Sequence, residues 1–122
     1  MLQRAFMTWL KNNIKKPNAI SSGRIKQSAD DKYLVVNKLD RSNPLDHDGV
    51  AGNYTAFFQL DAYAKRKEDA QDIIEEARQK LNGFSGYFGD YKISGAEISN
   101  ERPDYHDEEK LYREQFDIKI PY

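Results

Sequence analysis

Apolar residues along the chain recur with two periods, and the switches between those periods mark out the elements. Leu2, Phe6, Trp9 and Leu10 follow spacings of 4, 3 and 1 with Ala5 beside them, the signature of one helical face. Lys11, Lys15 and Lys16 fall near its C-terminal end, where cations complement the helix dipole, and Pro17 stops it. Asn18 to Gly23 reads as a turn-rich connection and Arg24 to Gln27 as a short strand. Tyr33 to Leu39, YLVVNKL, is β-branched and aromatic and predicts a strand. Asp40 to Asn53 is rich in Gly, Pro, Asp and Asn, and a loop of that length is usually functional or mobile.

Tyr54 to Tyr63 predicts a strand with two partly apolar faces. Tyr54, Ala56, Phe58, Leu60 and Ala62 point one way, while Thr55, Phe57, Gln59, Asp61 and Tyr63 point the other. The first face meets the helices. Phe57 and Tyr63 on the second need other cover, from a folded-back loop or a neighbouring subunit. The period then switches to helical, with Ala70, Ile73, Ile74, Ala77 and Leu81 on one stripe. Acidic Glu68, Asp69 and Asp72 load its start, Arg78 and Lys80 load its end, and Asn82-Gly83 supplies a left-handed stop. Tyr91 to Asn100 reads as a weaker strand with a central Gly95, and Glu101 to Glu109 as an acidic loop. Leu111 to Ile120 alternates cleanly, with Tyr112, Phe116, Ile118 and Ile120 inward. Arg113, Gln115, Asp117 and Lys119 point outward, the mark of an antiparallel strand with one solvated face; Glu114 is an inward exception. The expected fold is α+β: a small, mostly antiparallel sheet of about 4–5 strands packed on two helices, in the order α-β-β-β-α-β-β.

Length makes this one domain, residues 1–122. Apolar residues are 39% and charged ones 32%, which allows a modest core under a well-solvated surface. Lys and Arg number 19 against 20 for Asp and Glu, so no broad basic field exists to hold nucleic acid tightly. Without cysteine there is no disulfide, thiolate chemistry or Cys-based metal site, which suits a protein made in the cytosol. No apolar run approaches the roughly 20 residues of a membrane span. Arg4 and Lys11 interrupt the N-terminal apolar residues, which speaks against a secretory signal. A basic amphipathic helix there could lie on a membrane, but a Trp-bearing face packed on a sheet gives the same pattern, and that is the reading adopted.

Candidate chemistry is sparse. His47 in LDHDG and His106 in DYHDEE have acidic neighbours, but neither has the spacing of a zinc helix motif or an EF-hand loop. Gly83-Phe84-Ser85-Gly86 is a GxxG of the kind that clamps a nucleic-acid backbone, yet it carries no Lys or Arg and Asp90 follows. Phe84, Tyr87, Phe88 and Tyr91 could stack bases; packing on the preceding helix uses them as well. Lys65-Arg66-Lys67 is the one dense basic run. It stands at a helix N-terminus, an unfavourable place for cations, so it is a candidate contact for an acidic partner. Nothing matches a nucleophile elbow, a P-loop or a dinucleotide fingerprint, so no enzyme and no cofactor or metal is expected.

The N-terminal helix, the Tyr33 to Leu39 strand and the block FFQLDAYAKRKEDAQDIIEEARQKLNG resemble the tail-completion, or tail terminator, proteins of long-tailed bacteriophages. In that family an aromatic-rich strand ends in a triplet like Asp61-Ala62-Tyr63-Ala64 and leads to a helix ending like Leu81-Asn82-Gly83. A late acidic loop then enters a final strand like Tyr112-Arg113 and Phe116-Asp117-Ile118. The resemblance implies a structural virion protein, made in the host bacterial cytoplasm. Such a protein forms a homo-oligomeric, usually hexameric, ring at the head-proximal end of the tail. Its partners are the tail-tube protein and the head connector, and DNA passes through its lumen without specific binding. Ring contacts would cover Phe57 and Tyr63, and Asp46, His47, Asp48 and Gly49 would form a docking loop. The alternative is a small RRM-like nucleic-acid-binding or regulatory module, which requires salt-sensitive binding of single strands.

Overall fold

The computed structural model describes residues 2–23, 32–39, 54–106 and 111–122, with the backbone alone for 104–106. Two helices, α1 (Leu2–Asn13) and α2 (Lys67–Leu81), accompany seven strands. These are β1 (Ala19–Ser22), β2 (Lys32–Leu39), β3 (Thr55–Ala64), β4 (Ser85–Phe88), β5 (Tyr91–Ser94), β6 (Glu97–His106) and β7 (Leu111–Pro121). Five strands form one sheet in the order β1-β2-β3-β7-β6, and β4-β5 is a separate hairpin. β1 runs parallel to β2, and every other pairing is antiparallel. The α+β class and its order therefore hold.

Alternation along the strands sends one set of side chains to the helices. Leu34 and Val36 of β2, Phe58, Leu60 and Ala62 of β3, and Phe116, Ile118 and Ile120 of β7 are buried in one core. They meet Leu2, Phe6 and Leu10 of α1 and Ile73, Ala77 and Leu81 of α2, the stripes that helical spacing selects. Aromatic packing joins the layers: Phe6 lies 4.9 Å from Phe58 and 5.1 Å from Phe88, ring centre to ring centre. Each fully buried side chain of this size is worth about 1.5–3 kcal/mol, so the α1 seam is a large share of the core.

Several expectations need correction. The segment Asn18 to Gly23 contains β1, whose main chain pairs with β2 although its own residues are only half-buried or exposed. The expected strand Arg24 to Gln27 and the loop Asp40 to Asn53 lie outside the described residues. Tyr91 to Asn100 is two strands, because Gly95 adopts φ +74° and breaks the run between β5 and β6. Most of the expected acidic loop is strand, since β6 continues to His106. Phe84 and Phe88 pack on α1, against Trp9 at 5.2 and 5.3 Å, rather than on the helix just before them. The hairpin turn presses so closely on α1 that a Cβ at Gly89, itself at φ +59°, would stand 3.3 Å from that of Ala5.

Glu76 ties the two helices together. Its carboxylate accepts the Lys16 N–H at 2.8 Å and the Lys15 N–H at 3.0 Å, and pairs with Lys80 Nζ at 2.9 Å. Lys80 also donates to the Asn13 carbonyl at the end of α1. Burial alone would raise the Glu76 pKa, but the Lys16 N–H, the Lys80 ammonium and the Lys15 N–H outweigh it and hold the group below its usual value. A depressed folded pKa adds stability above the unfolded pKa, and that stability is lost as pH falls through the folded value. Glu76→Gln is therefore expected to lower stability at neutral pH by about 1 kcal/mol, the scale of one charge-assisted bond. Urea denaturation at a series of pH values should show the gap closing once the wild-type carboxyl is protonated.

The outer face of the sheet as candidate interaction surface

The face turned away from the helices has three zones in a row. At one end Tyr33, Val35, Tyr63 and Leu111 form a small buried apolar cluster. At the other end Leu39 stands opposite Phe57, which stands opposite Lys119. Between them lies a polar network built from a repeated tripeptide, Gln59-Leu60-Asp61 on β3 and Gln115-Phe116-Asp117 on β7. The central Leu60 and Phe116 point to the core, so the flanking Gln and Asp must point outward. The antiparallel register crosses them, placing Asp61 opposite Gln115 and Gln59 opposite Asp117.

Asp61, Gln115 and Asp117 are all buried, at 3%, 7% and 3% exposure, although alternation alone reads them as solvated. Burial of a carboxylate requires matched donors. Gln115 Nε2 donates to Asp61 Oδ1 at 2.7 Å, and Gln59 Nε2 lies 3.2 Å from the same carboxylate. β6 supplies the remainder through a bulge between Ser99 and Arg102. Asn100 takes φ +54°, which Asn tolerates better than most residues, and its Nδ2 donates to Asp117 Oδ2 at 2.9 Å. Arg102 closes the edge, with Nε on Gln115 Oε1 at 2.8 Å and Nη2 3.7 Å from Asp117 Oδ1.

Hydrogen bonds engage Asp61 and Asp117 Oδ2, while Asp117 Oδ1 is buried with the longer Arg102 contact rather than a hydrogen bond. Among the described residues no group of three or more His, Cys, Asp or Glu could hold a metal ion. Nor is any helix there long and apolar enough to cross a membrane. Among the described residues no exposed aromatic stands at the centre of this face, where two buried aspartates stand instead.

The predicted site residues do not form one site. Tyr63 is buried at 5% exposure within its own chain, among Tyr33, Val35 and Leu111, whereas Phe57 is half-buried. Six residues separate them along β3, about 20 Å of strand. Lys65, Arg66 and Lys67 are exposed in the turn from β3 into α2. Lys67 lies near Glu114, the inward exception of β7. Burial pushes that carboxyl up from its usual value, and the Lys67 charge offsets part of the rise. Asp46, His47, Asp48 and Gly49 lie outside the described residues, as does the side chain of His106. The network residues Gln59, Asp61, Gln115, Asp117, Asn100 and Arg102 carried no site expectation, and the doubled Gln-x-Asp was the signal available.

Fold and face together define an α+β protein whose sheet carries a buried polar network on the side away from the helices. No family model matches the chain, and no curated protein does. A chain in a solved structure described as "Virion of native gene transfer agent (GTA) particle" has a similar fold, at TM-score 0.62 and 11% identity. The likeness covers 85% of this chain and 78% of that one, and at this identity it shows the fold.

Proposed function

We propose that this chain is a structural virion protein that caps the head-proximal end of a phage tail tube. It stops tail polymerisation and joins the tail to the head connector, as a ring that is hexameric by analogy with the tail terminators it resembles. The observation that carries this reading is the fold likeness across 85% of the chain to a component of a phage-like particle. The resemblance in sequence to tail terminators points the same way from independent features. A formal charge of −1 suits a conduit that lets DNA pass without gripping it. The RRM-like alternative fits less well, since two buried aspartates occupy the centre of the sheet face that would have to stack bases.

Phe57 is the better of the two interface candidates, because it is half-buried where Tyr63 is only 5% exposed. Phe57→Asp is expected to leave the circular dichroism spectrum intact and to abolish ring assembly on tails seen by electron microscopy. Tyr63→Asp is expected instead to destabilise the monomer, by placing a carboxylate among Tyr33, Val35 and Leu111. Rings that assemble normally from both variants would remove this edge of β3 from the interface. Asp46, His47, Asp48 and Gly49 are proposed to contact the tail tube or connector, and Lys65, Arg66 and Lys67 to meet acidic groups there.

A further inference from the structure

The two helices expose stripes of opposite charge at the same spacing. Arg4, Thr8, Lys11 and Lys15, on α1 and just beyond it, are exposed at intervals of 4, 3 and 4 residues. No Asp or Glu occurs in the chain before Asp30, so this stripe carries no carboxylate of its own. Glu68, Asp72, Glu75 and Gln79 on α2 are exposed at the same intervals of 4, 3 and 4. At the helical rise the acidic stripe of α2 is about 16 Å long, and the basic stripe runs about 10 Å along α1 from Arg4 to Lys11 before continuing past the helix end to Lys15.

Within one chain the stripes do not neutralise each other. The helices are joined near the end of α1 through Glu76 and Lys80, which engage the Lys15 and Lys16 N–H groups and the Asn13 carbonyl and leave the Lys15 ammonium out of the joint. Ion pairs of the acidic stripe are local, Glu68 with Arg66 at 3.7 Å and Glu75 with Arg78 at 3.4 Å. Among the described residues no ion pair engages Arg4, Lys11 or Lys15. Beside the basic stripe runs an open groove of about 470 Å³ in which Ala5, half-buried Trp9 and Gly89 are flanked by Arg4, Thr8 and Asn12. Trp and Arg, here Trp9 beside Arg4, are the residue types enriched in interface hot spots.

We propose that the basic face of α1 receives the acidic face of α2 from a second copy of this chain, head to tail. Because the two faces differ, the contact is heterologous, and such contacts close into rings or run on as filaments. The inference rests on the ring reading above and adds a second contact, on the helix side of the sheet, to the one proposed at Phe57. A second copy is a better occupant than nucleic acid: it brings three carboxylates on one helix face to meet three cations, and the chain has no wider basic field to follow a phosphate backbone. Single exposed ion pairs are weak, so the stripes set orientation and register while the Trp9 groove supplies the adhesive centre.

Equal amounts of isotopically heavy and light full-length protein, mixed and treated with a zero-length carbodiimide cross-linker, test this by peptide mass spectrometry. Heavy–light links are expected to join Lys11 or Lys15 to Asp72 or Glu75. Their yield should fall at least about tenfold in the double variants R4E/K11E and E68K/D72K taken singly, and return when those two variants are mixed. Heavy–light links confined to other surfaces overturn the inference and leave the ring reading standing. No heavy–light links at any concentration also overturn it, and the tail-length measurement in the Discussion then decides the ring reading by itself. Unchanged yield in R4E/K11E together with lost retention on duplex DNA assigns the basic stripe to nucleic acid, which overturns it as well.

Discussion

Phe6→Ala is expected to lower stability by about 3–5 kcal/mol, the cost of removing an aromatic side chain from a closed core. Phe6 has 0% exposure and touches both Phe58 of the sheet and Phe88 of the β4–β5 hairpin. Its loss leaves a cavity where three layers meet: α1 above, β3 below and the hairpin at the side. Those neighbours are themselves held elsewhere, Phe58 in the centre of the sheet and Phe88 against Phe84 at 4.9 Å, so collapse into the space is restricted. For a chain of this size the change corresponds to a fall in Tm of about 10–20 °C, readable by circular dichroism. A fall of only a degree or two would mean that α1 does not dock through this face.

Asp61→Ala is expected to cost about 2–4 kcal/mol, from a group that an alternation rule assigns to solvent. The carboxylate is the common acceptor for the Gln59 and Gln115 amides. Its removal leaves both amides without that acceptor in a place where Asp61 is only 3% exposed. Asp61→Asn keeps one acceptor oxygen and is expected to cost clearly less. A double-mutant cycle of Asp61→Ala with Gln115→Ala, followed by urea denaturation, separates the bond from the loss of volume. A coupling near zero would show that water replaces the amide at no cost.

The parts of this fold that were legible in the sequence are those that depend on local period. α1, β2, β3, α2 and β7 each carry a stripe or an alternation within a dozen or so residues, and these elements fix the architecture. β1 was not legible, because Ala19 to Ser22 are held by main-chain pairing to β2 rather than by buried side chains. The break at Gly95 was visible only as an isolated glycine inside an apolar run. The hairpin aromatics were visible, but their partner was assigned to the adjacent helix when the distant α1 supplies it.

The outer face was misread for a related reason. Gln115 and Asp117 alternate with Phe116 and Ile118, and alternation within one strand cannot distinguish a side chain in water from one facing donors on neighbouring strands. Burial there follows from the register that crosses two Gln-x-Asp tripeptides and from the β6 bulge that brings in Asn100 and Arg102. Register between Asp61 and Gln115, 54 residues apart, is a property of the assembled sheet. Tyr63 was misread in the same way: its cover comes from Tyr33, Val35 and Leu111 on paired strands and not from the local sequence.

The measurement that bears most directly on the proposed role is the length of the tails produced by the cells that carry this gene. Disrupting the gene and examining the lysate by electron microscopy should give tails of uncontrolled length, unattached to heads, with no infectious or DNA-transferring particles. Supplying the wild-type protein should restore tails of one length joined to heads. Tails of normal length joined to heads in its absence would contradict the account.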